Sequence, residues 1–346
     1  MSLPQRPKRP TIREVAVQAE VSIATVSRVL AGIPGAGSEV RERVLAAVEK
    51  LGYTPDLSAR SLRARQRKLI GLMLPDLQNP FFTGLAHGVE EILSDAGFTL
   101  LLGHSDGQPE RERRYLDVFR GEGMAGLVLV PGNRTDADYS KLRTWNLPVV
   151  AVDRAPRRLD VDLVKTDNRG GAREALRHLI SLGFRDLAMI NGPEGLDVSA
   201  ERLAGALEAL AEARLPRESL RVVHSDFHLE GGIRSMKTLL ASPRRPRALL
   251  VANNLMTLGA LQVLHERGVR IPDDLALVSF DDMPWAASLR PALTAISQPA
   301  EELGRTAAGL LLDRLAEPSR TPRQVILRST LVVRSSCGAH PAPPPS

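Results

Sequence analysis

The feature that most restricts the fold is a recurrence of short, largely apolar runs separated by longer stretches of helical periodicity. Residues 70–74, 98–102, 126–130 and 149–152 form one series of such runs, and 187–190, 221–224, 248–251 and 276–280 form a second. Each is short and continuous, as expected of a strand buried on both faces. Strands of that kind need helices on both sides of the sheet, which is the setting of parallel sheets. β-helix-β repetition therefore predicts doubly wound parallel-sheet lobes, and two series predict two of them. Ligands of open α/β sheets bind beyond the carboxyl ends of the strands, so facing lobes make a cleft there.

Strand ends accordingly nominate a pocket. Asp76, with Phe81 and Phe82, follows the first run, and Asp153-Arg154 ends the fourth. Asn253-Asn254 and Asp281-Asp282 end late runs of the second series. Polar side chains around a stacking aromatic suit a polyhydroxylated ligand such as a sugar. The same carboxylates could instead cap neighbouring helices.

The first 68 residues have a different character. Thr11-Ile-Arg-Glu14 is a capping box, with Ile12, Val15, Ala16 and Ala19 at helical spacing behind it. After a break at Glu20-Val21, Ser22 can cap a second short helix whose apolar face is Val26, Val29 and Leu30. A third helix starts at Ser38 and carries Val40, Val44, Val48 and Leu51. Three such helices could be an inert bundle. The outward face of the second is small, hydroxylic and basic, which suits close approach to a groove wall and predicts a helix-turn-helix. The net charge of +6 favours a polyanionic partner, and Arg and Lys are dense in this segment. A general preference for Arg would give the same total, so the charge only supports the motif.

The run Thr11-Ile-Arg-Glu-Val-Ala-Val-Gln-Ala-Glu-Val-Ser-Ile-Ala-Thr-Val-Ser-Arg-Val-Leu30 resembles the signature of the lactose-repressor family. The likeness continues through Glu42 to Pro55 and Ala59-Arg-Ser-Leu62, then more diffusely to about residue 335. Glu20 stands where the family usually has Gly, Ala31 where it has Asn, and Asn254 where it has Asp. The resemblance implies a periplasmic-binding-protein-like core behind a DNA-binding headpiece. Ile23, Ala24 and Arg28 would face base edges, Arg28 with a bidentate reach to guanine and the other two meeting a thymine methyl. Thr11, Ser22, Thr25, Ser27 and Tyr53 would hold phosphates and fix register. In the hinge, Leu62 would wedge into the minor groove between Arg60 and Arg63. Phe81, Phe82, Arg202, Phe227, Asn253, Asp153 and Asp281 match effector-pocket positions, beside Asp76 at the first strand end. Leu196 and Val198 replace the polar and basic residues of the purine-binding branch, which disfavours a purine.

The expected organisation is a disordered basic tail (1–10), a helix-turn-helix domain (11–54), a hinge (55–68), a core (69–336) and a disordered tail (337–346). The N-lobe would take residues of about 69–166 and 298–326, and the C-lobe about 167–297 and 327–336. Expected partners are a pseudo-palindromic double-stranded operator, a sugar-like effector and a second copy in a homodimer. The single cysteine, Cys337, rules out an intramolecular disulfide framework and a Cys-rich metal site. No apolar run approaches the roughly 20 residues of a membrane helix, and no apolar stretch follows the basic start, so a cytoplasmic location is expected.

Catalysis, metal and cofactor are not expected. Gly121-Glu-Gly-Met-Ala-Gly126 matches a dinucleotide loop literally, but it should end a helix and enter a strand, the reverse of the required order. His224 and His228 lack a third ligand nearby. A solute-binding protein of the same core fold is the rival reading, and it would have no use for the headpiece.

Overall fold

The computed structural model describes residues 10–30, 36–53, 68–132 and 139–339. The chain divides into two compact units, residues 1–67 and 68–346.

In the first unit, helices α1 (Ile12–Gln18), α2 (Ile23–Leu30) and α3 (Ser38–Leu51) surround a core of small residues: Val15, Ala16, Ala19, Val26, Val29, Val44 and Ala47. The capping box at α1 forms with both arms. The Thr11 hydroxyl oxygen accepts from the Glu14 N–H at 3.4 Å, and Glu14 Oε2 accepts from the Thr11 N–H at 2.6 Å. Ser22 Oγ likewise accepts from the Thr25 N–H at 3.1 Å, opening α2. Between these helices Glu20 takes φ 55°, a left-handed conformation natural to glycine.

The second unit holds two six-stranded sheets. Strands β1 (Leu69–Leu74), β2 (Thr99–His104), β3 (Gly126–Leu129), β4 (Val149–Val152), β5 (Asp162–Thr166) and β11 (Gln324–Leu327) form the first, in the order β11-β5-β4-β3-β1-β2 and all parallel. The second is built from β6 (Leu187–Asn191), β7 (Leu220–His224), β8 (Ala248–Val251), β9 (Ala276–Phe280), β10 (Thr294–Ser297) and β12 (Thr330–Val332). Its order is β12-β10-β9-β8-β6-β7, the same winding repeated, except that β12 runs antiparallel to β10.

Among the described residues, six helices flank the sheets in chain order: α4 (Pro80–Asp95), α5 (Pro109–Gly121), α6 (Asn168–Ser181), α7 (Asp197–Glu212), α8 (Leu229–Ala241) and α9 (Asn254–Glu266). A seventh, α10 (Ala300–Ala316), follows the second sheet yet packs on α4 beside the first. Its approach is close enough that a Cβ on Gly88 would sit 2.0 Å from the Glu301 carbonyl oxygen. The order of strands makes the chain pass between the lobes three times, after β5, after β10 and after β11.

Two sequence expectations change. Strands β5, β10, β11 and β12 were not among the apolar runs. The C-terminal tail starts later than residue 337, because Cys337 is fully buried against the second lobe, at the end of a short 3-10 turn (Ser335–Cys337). There Thr294 Oγ1 donates to its sulfur at 3.2 Å, and His178 Nε2 lies 3.1 Å from it. Burial pushes the Cys337 thiol up, but these hydrogen bonds outweigh it and hold the thiol below its usual value. Residues 340–346 lie outside the described residues.

The 121–126 glycine motif behaves as a helix-ending turn: α5 stops at Gly121, Gly123 takes φ 66°, and β3 begins at Gly126. No helix among the described residues is long and apolar enough to cross a membrane, and none of their His, Cys, Asp and Glu side chains cluster as metal ligands.

Candidate functional site

Between the carboxyl ends of the two sheets lies a narrow, partly open cavity of about 40 Å³. All eight side chains nominated for the effector line it: Asp76, Phe81, Phe82, Asp153, Arg202, Phe227, Asn253 and Asp281. They come from six separate stretches of the chain, five at loops and helix starts and one, Arg202, in the second turn of α7, so only the fold brings them together.

The walls are aromatic. Phe81 and Phe82, in the first turn of α4, meet edge to face with centroids 5.1 Å apart and planes at 71°. Phe227 comes from the other lobe, before α8. The floor is charged and nearly sealed. Arg202 and the two carboxylates Asp153 and Asp281 are each about 4 % exposed, and burial on this scale demands hydrogen-bonding partners. Arg154 donates through Nε and Nη2 to Asp153 Oδ2, at 3.0 and 2.6 Å. Asp281 Oδ2 accepts from the Asn254 N–H at 3.3 Å, and its Oδ1 accepts from Gln298 Nε2. Burial pushes the Asp281 carboxyl up, opposed by the Arg202 charge; burial likewise pulls Arg202 down, opposed by Asp281 and Asp153.

Three lining residues hold left-handed backbone: Asp153 (φ 71°), Phe227 (φ 67°) and Asp281 (φ 71°). Each costs of order 1 kcal/mol or more in a residue with a Cβ, and such strain collects where side chains must be aimed. Asp153 follows β4 and Asp281 follows β9, which are equivalent positions in the two sheets, so the lobes present matched carboxylates to one space.

Among the strand-end carboxylates the helix-capping alternative holds for Asp281, which meets the first N–H of α9, whereas Asp76 closes a turn ahead of α4. Asn253 caps α9, with Oδ1 accepting from the Met256 N–H at 2.9 Å while Nδ2 donates to the Phe227 carbonyl at 2.8 Å. Asp76 Oδ1 accepts from the Gln78 N–H at 2.7 Å. Both amide and carboxylate retain further hydrogen-bonding capacity toward the cavity. Sequence reasoning missed Asn79 and Gln298 as lining residues. Asn79 was legible as the residue before Pro80, a helix-start signal; it caps α4 and its Oδ1 also accepts from Asn254 Nδ2 of the opposite lobe at 2.9 Å. Gln298 gave no signal, because it sits on the second passage between the lobes. Its Oε1 is buried without a protein partner.

In the headpiece, Ile23, Ala24 and Arg28 are exposed on α2, with Val26 and Val29 buried behind them. Ala24 and Arg28 lie one turn apart, as do Ile23 and Ser27, so the four make one face. Thr11 and Ser22 are exposed, and Thr25, Ser27 and Tyr53 are half-buried. Ser22 Oγ and Thr25 Oγ1 lie 2.9 Å apart and are engaged with each other. The hinge positions Arg60, Leu62 and Arg63 lie outside the described residues.

A helix-turn-helix module in one chain with a two-lobed core enclosing a polar cavity defines the class of ligand-responsive DNA-binding regulators. The chain matches the family model of bacterial regulatory proteins, lacI family, over residues 11–56, and that of the periplasmic binding protein-like domain over residues 176–337. It is 35% identical over 326 residues to the ribose operon repressor of Halalkalibacterium halodurans, an alignment covering 94% of this chain and 96% of that one. The chain belongs to the lacI family of bacterial regulatory proteins.

Solved structures agree. The lac repressor dimer bound to operator and the anti-inducer ONPF superposes with a TM-score of 0.82 at 25% identity, covering 96% of this chain and 100% of that one. A lacI-family regulator from Enterococcus faecium with bound ribose gives a TM-score of 0.70 at 31% identity, over 78% of this chain and 98% of that one.

Proposed function

We propose that this protein is a dimeric transcriptional repressor whose operator affinity is set by a small sugar of the pentose class, ribose foremost, held in the interlobe cavity. The observation that carries the reading is the convergence of eight separately nominated side chains on one interlobe space with aromatic walls and buried charges. Flat apolar ring faces meet Phe81, Phe82 and Phe227, while hydroxyls find acceptors in Asp153 and Asp281 and donors in Arg154 and Arg202. The nearby relatives named for ribose support the choice of sugar. Leu196 and Val198 are buried and apolar where a purine would want polar partners.

Ile23, Ala24 and Arg28 read base edges, while Thr11, Ser22, Thr25, Ser27 and Tyr53 grip phosphates and Arg60, Leu62 and Arg63 engage the minor groove. The protein acts in the cytoplasm, where its operator lies, and it transduces binding rather than catalysing a reaction; its relatives are named as repressors. A solute-binding role for the core alone leaves the headpiece without a use.

Calorimetric titration with D-ribose, a disaccharide and a purine base, alongside operator selection at fixed salt, tests the reading. Saturable binding of ribose alone, with a reciprocal change in operator affinity, is the expected result. Tighter binding of the purine or disaccharide would overturn the pentose assignment. At the selected operator, Arg28→Ala should relax preference at one base position by about 1–3 kcal/mol, measured by competition against base-pair variants.

A further inference from the structure

Arg202 is held by its surroundings on three sides. Its Nε donates to Asn168 Oδ1 at 2.9 Å, Nη1 donates to the Ala252 carbonyl, and the guanidinium carbon lies 3.8 Å over the Phe280 ring. Nη2 is left without a protein partner among the described residues, on a side chain that lines the cavity. A guanidinium has a rigid fork, so fixing Nε and Nη1 fixes where Nη2 points.

Two of these supports are a backbone carbonyl and an aromatic face, which many side chains could use. Asn168 is the specific one. It is fully buried at the start of α6, two residues beyond β5, where the chain first passes between the lobes. It does not line the cavity. Both ends of its amide are engaged: Oδ1 receives Arg202, and Nδ2 donates to the Thr166 carbonyl at 3.3 Å and to Glu201 Oε2 at 3.4 Å. Glu201 is itself paired with Lys165. The amide is thus oriented from below, because only the oxygen can face Arg202 while the nitrogen meets two acceptors.

We infer that Asn168 is the positioning residue of the effector pocket, aiming Arg202 Nη2 at a ligand hydroxyl from behind and tying it to the first interlobe passage. The inference rests on the proposed sugar site for its ligand readout, but the orientation of Arg202 is a property of the protein without ligand. Loss of the acceptor leaves a buried Nε–H unpaired and lets the fork rotate.

Two measurements separate this inference from the pentose reading. In calorimetry with D-ribose, Asn168→Ala should weaken binding roughly tenfold or more, the range of a lost hydrogen bond to a charged group. In an Arg202→Lys background the same change should add nothing, since there is no fork left to aim. The pair Asn168→Asp with Glu201→Gln keeps an acceptor on Arg202 and reverses the donor below it, so it should return affinity to within about threefold of the parent. A purely structural role predicts additive losses and no rescue, and would overturn the inference. Independently of any ligand, protein carrying ¹⁵N-arginine should show an exchange-protected Nε–H resonance assigned to Arg202 by its absence in Arg202→Lys. That protection should vanish in Asn168→Ala and persist in the rescuing pair. If ribose does not bind the parent protein, the pentose reading fails and this resonance still decides the positioning role; protection that survives Asn168→Ala defeats it.

Discussion

In the headpiece, Ile23, Ala24 and Arg28 stand exposed on a helix whose other face buries only Val26 and Val29. In the core, Arg202, Asp153 and Asp281 sit in a nearly closed cavity, each within reach of a partner. The two units solve recognition in opposite ways. Exposed side chains on the headpiece stay hydrated and add no desolvation cost to folding, and the module leans on caps and a core of Val and Ala. The core has apolar burial to spare and tolerates desolvated charge and left-handed backbone at Asp153, Phe227 and Asp281. Glycine marks a contrast as well: the core uses it where helices touch, whereas the headpiece uses it after α3 at Gly52 but has Glu20 at the left-handed turn between α1 and α2.

The largest effect should come from breaking that pattern in the core. In Gly88→Ala the new methyl meets the Glu301 carbonyl oxygen at 2.0 Å, so α4 and α10 must move apart. The expected loss is about 3 kcal/mol, at the upper end for overpacking, with Phe81 and Phe82 displaced and ribose affinity falling. Denaturant unfolding followed by probes in each unit checks it; an equal shift in the headpiece transition would show that the two units do not unfold separately.

The reverse substitution in the headpiece should be milder and of opposite sign. Glu20→Gly relieves φ 55° and gives up only an exposed 3.9 Å contact with Arg43, so the headpiece should gain roughly 1 kcal/mol. Hydrogen exchange at the Val15 and Val26 amides reads this directly, and slower exchange is expected.

The smallest effect tests how the core manages charge. Glu112, on α5, is buried beside Tyr139, whose hydroxyl also accepts from the Gly132 N–H at 3.0 Å. Burial raises the Glu112 pKa, against the opposing hydrogen bonds and Arg154. A carboxyl raised in the folded state binds protons more readily there than in the unfolded chain. Its burial therefore costs nothing below the unfolded value, and the cost grows as pH rises through the folded one. Glu112→Gln should melt like the parent near pH 4 and a little higher at pH 7. A difference that stayed constant with pH would point to packing rather than charge.

Local signals carried far into the structure. The Thr11 to Glu14 box and the Ser22 cap both form, because such bonds close within a single turn. Six of the eight apolar runs are central strands covered on both faces. Strands β2 and β7, also expected to be buried, are sheet edges with largely exposed or half-buried side chains, because an apolar run marks a strand without fixing its place in the sheet. Strand β5, Asp-Leu-Val-Lys-Thr, alternates in burial and so lacked a continuous run, while β11 and β12 are half-exposed edge strands whose partners lie far away in sequence. Gln298 was hidden with them, since a residue on a passage between lobes carries no periodicity. Cys337 misled because Pro and Ala crowd the segment after it; its own burial depends on Thr294 and His178, which sequence proximity does not link.

The threefold passage of the chain between the lobes also governs how the protein can be made. Strand β11 pairs with β5 across five of the six strands of the second sheet in sequence, from Gln324 back to Leu163. A ribosome that has released the first 300 residues has still not supplied the outer strand of the earlier lobe or the last strand of the later one. Neither lobe can complete before the other is nearly finished, so each must wait partly open during synthesis, with an unpaired strand edge exposed to neighbouring nascent chains.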